Sequence, residues 1–136
     1  MPVTAMIRIA VLLLMGCTVA AHAEDLSSYT GPQLFQKLCA SCHGPAGRGD
    51  GAVAPLFKLS PPDLTRLAAR HGGVFDQEKI RQFIDGRETT GAHGTRTMPV
   101  WGIELQAARE GPDGQRNQTS AIIESLVAYL RSIQRP

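Results

Sequence analysis

Aromatic residues are scarce in this chain of 136 residues: one Trp, two Tyr and four Phe. A core built from so few large side chains is thin, and a small chain buries a low fraction of its surface to begin with. Charge of one sign is missing as well, the formal net charge being +2. That near-balance excludes the strongly basic face that nucleic-acid binding requires. No segment alternates apolar and polar residues for long enough to make a half-buried strand, so a β fold is excluded in favour of an all-α one. Cysteine is rare, with three in the whole sequence. The one long apolar run, Ile9 to Ala21, is shorter than the roughly 20 residues that span a bilayer.

That run is best read as part of a leader. Arg8 is the only charge before it, and Ala21-His22-Ala23 follows as a small-residue cleavage site ahead of Glu24-Asp25. The layout is that of a secretory signal peptide over residues 1–23, which leaves one domain over 24–136 and a periplasmic location. Leu14-Met15-Gly16-Cys17 offers a second processing reading, in which Cys17 is acylated and anchors the protein to a membrane by lipid. Removing the leader brings the 14 basic residues to 13 against 12 acidic ones. It also leaves Cys39 and Cys42 as the only cysteines and Met98 as the only methionine.

What remains is organised around Cys39-Ala40-Ser41-Cys42-His43, a C-x-x-C-H run. This is the pattern of covalent c-type haem attachment. Two thiols one helical turn apart reach the two vinyl groups of one porphyrin. The adjacent His offers a neutral imidazole nitrogen to the iron. A zinc site needs four ligands, and no second cysteine pair exists to supply them. A thioredoxin-like redox pair belongs beside a βαβ pattern, which is absent. A plain disulfide in a helical domain without haem is the bland alternative in an exported chain.

Helical periodicity places this run. Thr30 and Gln33 form a capping-box pattern, with Pro32 in the first turn. Leu34, Phe35, Leu38 and Cys42 make one apolar face of the helix that follows. Gly44-Pro45 ends it, and a glycine-rich loop runs from 46 to 51; with no preceding strand and no Gly-Lys-Ser/Thr, it is not a phosphate cradle. Prolines 55, 61 and 62 keep the chain irregular. Asp63 caps a short helix at about 64–70, closed by Gly72-Gly73. Asp76 caps another, with Phe75 stapled to Ile80 and with Ile80, Phe83 and Ile84 facing inward. Residues 87–97 read as loop, and 104–119 as a short helical start followed by a solvated loop. The last helix is expected at 120–134, capped by Thr119 or Ser120, with Ile122, Leu126, Tyr129, Leu130 and Ile133 in one stripe.

A haem iron has a sixth position. Methionine opposite histidine is the ligation of cytochromes c and raises the reduction potential. Met98, followed by the rigid Pro99, is the candidate; His93 and His71 are rivals. A ligating imidazole donates its second N–H to a carbonyl or carboxylate, and the carbonyl of Pro55 is the candidate for His43.

Gly31, Phe35, the C-x-x-C-H, Pro55, Met98-Pro99 and the pair Leu126 and Tyr129 together resemble a class I (monohaem) c-type cytochrome. The C-H-G-x-x-G-x-G-D-G and M-P-x-W-G runs are similar to its bacterial branch. The resemblance covers about residues 30–134. It implies a cytochrome c fold of about four to five helices around one haem c with its iron. In that fold the first and last helices cross, with Gly31 and Phe35 packed against Leu126 and Tyr129. It implies His43 and Met98 as axial ligands, the Pro55 carbonyl holding His43, and Trp101 packing beside the haem or meeting a propionate. Arg48 and Arg96 are further candidates for propionates. The implied function is electron transfer between redox protein partners, not enzymatic catalysis, by a monomer or a subunit of a larger redox complex. Two rivals follow from the same residues: a haem subunit of an exported dehydrogenase or oxidase complex, and a gas- or peroxide-binding protein with an open sixth site.

Overall fold

The computed structural model describes residues 25–87, 98–107 and 114–136. The expected leader and its cleavage site, Cys17, His93, Arg96 and residues 108–113 of the expected 104–119 segment lie outside the described residues. The elements are α1 (Gly31–Leu38), α2 (Ala40–His43), α3 (Gln77–Asp85), α4 (Trp101–Ala107) and α5 (Gly114–Ser132). Single 3-10 turns stand at Leu26–Ser28, Ala54–Leu56, Leu64–Arg66 and Ala69–His71. No strand occurs among the described residues, in agreement with the all-α expectation.

The start of α1 follows from its capping residues. The Gln33 side chain reaches back and accepts from the Thr30 backbone N–H at 2.9 Å and from its hydroxyl at 2.9 Å, which satisfies a donor that the helix itself leaves unpaired. Leu34 and Phe35 are then turned into the core. The helix is interrupted at Cys39, whose φ of −121° departs from helical geometry, and resumes as α2. The haem-attachment run is therefore a separate short turn set off from the packed helix.

The crossing of α1 with α5 forms the centre of the core. A Cβ at Gly31 would meet the carbonyl oxygen of Ser125 and lie 3.0 Å from the Tyr129 Cβ, so the helices approach as closely as they do because Gly31 has no side chain. One turn on, the fully buried Phe35 ring meets Tyr129 at 5.2 Å between centroids and 53° between planes, a tilted arrangement that aromatic quadrupoles favour. Ile122, Ile123, Leu126, Val127 and Leu130 of α5 complete the core with Ile84 of α3 and Leu105 of α4. Asp76 caps α3 by accepting from the Lys79 N–H at 3.0 Å, and Phe75 and Ile80 both pack against the core. Arg81 of α3 pairs with Glu124 of α5.

Three expectations are corrected. The helix expected at 64–70 is two 3-10 turns. Its backbone groups are committed elsewhere: Leu64 N–H donates to Gly47 O at 2.7 Å, Ala68 N–H to Gln134 Oε1 at 2.9 Å, and Thr65 O accepts from Arg135 N–H at 2.8 Å. Groups used in tertiary bonds are not free for an α-helical ladder. The last helix begins at Gly114 instead of 120, so Thr119 and Ser120 lie within it, Thr119 being buried. Gln115, Arg116 and Gln118 read as polar loop, but Gln and Arg are good helix formers. Finally, the short helix expected to start at 104 begins at Trp101.

Two predictions test this description. Gly31→Ala puts a methyl against backbone, which cannot yield by a side-chain rotation; stability falls by about 1–3 kcal/mol, read from the urea denaturation midpoint. Asp63 accepts from the Thr65 hydroxyl and N–H at 2.6 and 2.8 Å. The hydroxyl bond, with the Thr65 N–H and the charges of Arg135 and Arg70, holds its carboxyl below the usual carboxylate value. A carboxyl so depressed adds stability above its unfolded-state pKa of about 3.9 and loses it as pH falls through the lower folded value. The thermal midpoint of Asp63→Asn is therefore lower than wild type at neutral pH, and the gap closes in acid below that range.

Candidate haem-binding site

The site begins on α2. Its first turn is closed by Cys42 N–H to Cys39 O at 3.1 Å and His43 N–H to Cys39 O at 2.9 Å. These bonds keep both cysteines and His43 on one tight turn. Cys39 and Cys42 are free thiols. Burial, with a smaller contribution from Cys42, pushes the Cys39 thiol up to about 12, so it stays protonated at neutral pH.

His43 is buried, and burial lowers its pKa, with a hydrogen bond to the Pro62 carbonyl acting in the opposite sense. The ring is thus neutral at physiological pH. Nδ1 lies 3.1 Å from Pro62 O. A carbonyl only accepts, so Nδ1 carries the proton and Nε2 keeps its lone pair. This is the tautomer that a metal-ligating imidazole needs, with its second nitrogen anchored as such ligands require.

The orienting carbonyl was placed on Pro55 by the sequence; the structure places it on Pro62. Pro55 is exposed and belongs to the 3-10 turn Ala54–Leu56. The reason lies in the glycine loop. Gly49 N–H returns to His43 O at 2.8 Å, and Gly51 and Val53 return to Cys42 O and Ser41 O at 3.2 and 3.0 Å. The loop is folded back along α2, which uses up the residues leading to Pro55. At Gly49, where φ is +84°, a Cβ would run into the Pro61 carbonyl and lie 3.3 Å from the Pro62 carbonyl carbon. A glycine there lets the Pro61-Pro62 pair come down beside His43. The signal for this in the sequence was the Pro-Pro doublet opposite a glycine-rich loop.

The other candidates are distributed as follows. Met98 is 37% exposed, with Pro99 exposed beside it. Trp101 is half-buried and packs against the core. Arg48 is exposed. His71 is exposed and its Nδ1 bonds to Leu67 O at 2.8 Å within its own turn. Among the described residues no group of three or more His, Cys, Asp or Glu side chains could hold a bare metal ion. Two free thiols and a neutral, anchored imidazole on one turn are the donors a covalently bound haem uses. Sequence reasoning missed Pro62, and with it the cluster of Asp63, Thr65, Gln134 and Arg135 that adjoins it.

The family model for cytochrome c matches residues 28–134, which includes all of these positions except Arg135. No curated protein sequence and no solved structure matches the chain significantly. The chain belongs to the cytochrome c family, whose members bind haem c covalently and transfer electrons through its iron.

Proposed function

We propose that this protein is a class I, monohaem cytochrome of the bacterial type, exported to the periplasm, with His43 and Met98 as axial ligands of its iron. The observation that carries the reading is the His43 ring, buried, neutral and anchored through Nδ1 beside two free thiols. When bound, haem supplies a one-electron couple. Cys39 and Cys42 hold it through thioethers, so that it is not lost from an exported protein. His43 presents Nε2, and the hydrogen bond to Pro62 fixes the plane of the ring. Met98 brings a thioether, a soft donor that favours the ferrous state. With both axial positions filled by the chain, no substrate reaches the iron, and the protein acts as a carrier, not an enzyme.

Its partners are redox proteins that dock transiently over a small surface. No helix among the described residues is long and apolar enough to cross a membrane. The apolar run at the N-terminus serves export, with cleavage after Ala23.

The covalent reading is tested by mass. The purified protein is expected to weigh the chain from Glu24 plus one haem, and Cys39→Ser/Cys42→Ser is expected to carry no haem stain after denaturing electrophoresis. A chain beginning at an acylated Cys17 would replace the cleavage reading with the lipoprotein one. The ligand set is tested by Met98→Ala. Wild-type ferric protein is expected to show the weak far-red band of methionine–iron ligation, and the variant to lose it. The variant's reduction potential is expected to fall and its ferrous form to bind carbon monoxide. Ready carbon monoxide binding by the native wild type would instead favour an open sixth site.

A further inference from the structure

The Pro62 carbonyl needs something to hold it, and the residues that do so come from the far end of the chain. The turn after Pro62 is clamped by Gln134 and Arg135, just past α5. Arg135 donates to the Thr65 hydroxyl through Nε at 3.0 Å and through its terminal nitrogen at 2.7 Å. That same nitrogen lies 3.6 Å from Asp63 Oδ2, and the Arg135 backbone N–H donates to Thr65 O at 2.8 Å. Gln134 accepts from Ala68 N–H at 2.9 Å and donates to Leu64 O at 2.8 Å and to Leu130 O at 2.7 Å. Arg70 donates to the Asp63 carbonyl at 2.8 Å.

Thr65 sits at the centre of this cluster and is 4% exposed. A hydroxyl has one donor and two acceptor sites. Here the donor goes to Asp63 Oδ1 at 2.6 Å and both acceptor sites take Arg135. The hydroxyl is saturated, so its geometry is fixed from every side. On the opposite face the turn is tied to the glycine loop by Leu64 N–H to Gly47 O. Pro62 is thus held between the loop that leaves α2 and the end of α5.

We propose that Gln134 and Arg135 are positioning residues for the haem ligand: by clamping the 63–68 turn, they hold the Pro62 carbonyl on His43 Nδ1 and so set the orientation and donor strength of the imidazole. The proposal rests on the reading of His43 as an iron ligand. A carbonyl that accepts firmly from Nδ1 makes the imidazole a stronger donor. A stronger donor favours ferric iron and lowers the potential. Loosening the clamp weakens the bond and raises the potential, without any change in the residues that touch the haem.

The test compares Arg135→Ala, Gln134→Ala and their double variant with wild type, all as haem-loaded protein. Removing the Arg135 side chain leaves its backbone bond to Thr65, so the fold is retained. Thr65→Val and Thr65→Ser give an independent pair, the second keeping the hydroxyl. Two readouts are followed: exchange of the His43 Nδ1 proton with solvent, by NMR in the reduced state, which reports on His43 itself, and the reduction potential. The double variant is expected to exchange about tenfold faster, as loss of one hydrogen bond's holding free energy implies, with a potential above wild type. Thr65→Val should follow it and Thr65→Ser should stay near wild type. Ile84→Val, a core change in α3, serves as the control, expected to lower the thermal midpoint without moving either readout. If the clamp variants behave like Ile84→Val, the clamp is only structural and the proposal is overturned. If the wild-type His43 resonances lack the large ring-current shifts of an iron ligand, the ligand reading falls, and the proposal with it. Shifted resonances that the variants leave unmoved overturn the proposal alone.

Discussion

Close approach between α1 and α5 is the constraint on which this molecule depends. The chain has few large side chains, so its core gains little from any one of them and much from bringing two helices to backbone distance. Gly31 permits that approach, and the Phe35 and Tyr129 rings fill the space one turn on. Because α2 follows α1 after a single non-helical residue, fixing α1 also fixes where Cys39, Cys42 and His43 stand. Because Gln134 and Arg135 follow α5, the same crossing fixes where the clamp on the 63–68 turn stands. Both halves of the His43 environment thus hang from one helix pair.

Much of this was legible from residue types. Helix starts with side-chain caps were readable because the cap and its hydrogen-bond partner are three or fewer residues apart: Thr30 with Gln33, and Asp76 with Lys79. The α1–α5 crossing was readable because the resemblance to class I cytochromes paired Gly31 and Phe35 with Leu126 and Tyr129. The thiols and imidazole of the proposed haem site were readable because they stand within five consecutive residues. What was not legible depended on contacts between distant residues. Leu64 to Ala68 has an acceptable helical pattern, and nothing local reveals that Gly47, Gln134 and Arg135 will claim its backbone groups. The choice of Pro62 over Pro55 was hidden for the same reason. The resemblance to class I cytochromes pointed to Pro55, whereas the path of the glycine loop back along α2 brings Pro62 to the ring.

The state of His43 shows how opposed effects are resolved. Burial favours a neutral imidazole, and a carbonyl acceptor favours keeping a proton on Nδ1. Burial is the larger effect and keeps the ring neutral against the opposing pull of that hydrogen bond. Burial removes the second proton, and the Pro62 carbonyl decides which nitrogen retains the first. The outcome is a ligand with a defined tautomer and a defined ring plane, prepared by two effects of which neither alone would suffice.

The interruption of the helix at Cys39 separates two kinds of contact by their distance along the chain. Cys39, Cys42 and His43 stand within five consecutive residues. The bond that orients His43 spans 19 residues, and the clamp behind it spans 70. Contacts between neighbours form early in folding, while closing a long loop carries an entropic cost that grows with its length. The groups proposed to bond the haem are therefore presented side by side even in a largely unfolded chain, and the geometry that orients His43 arrives only when the two ends of the domain have met. Attachment and tuning are in this way steps of different contact order, and a chain can complete the first while the second is still open.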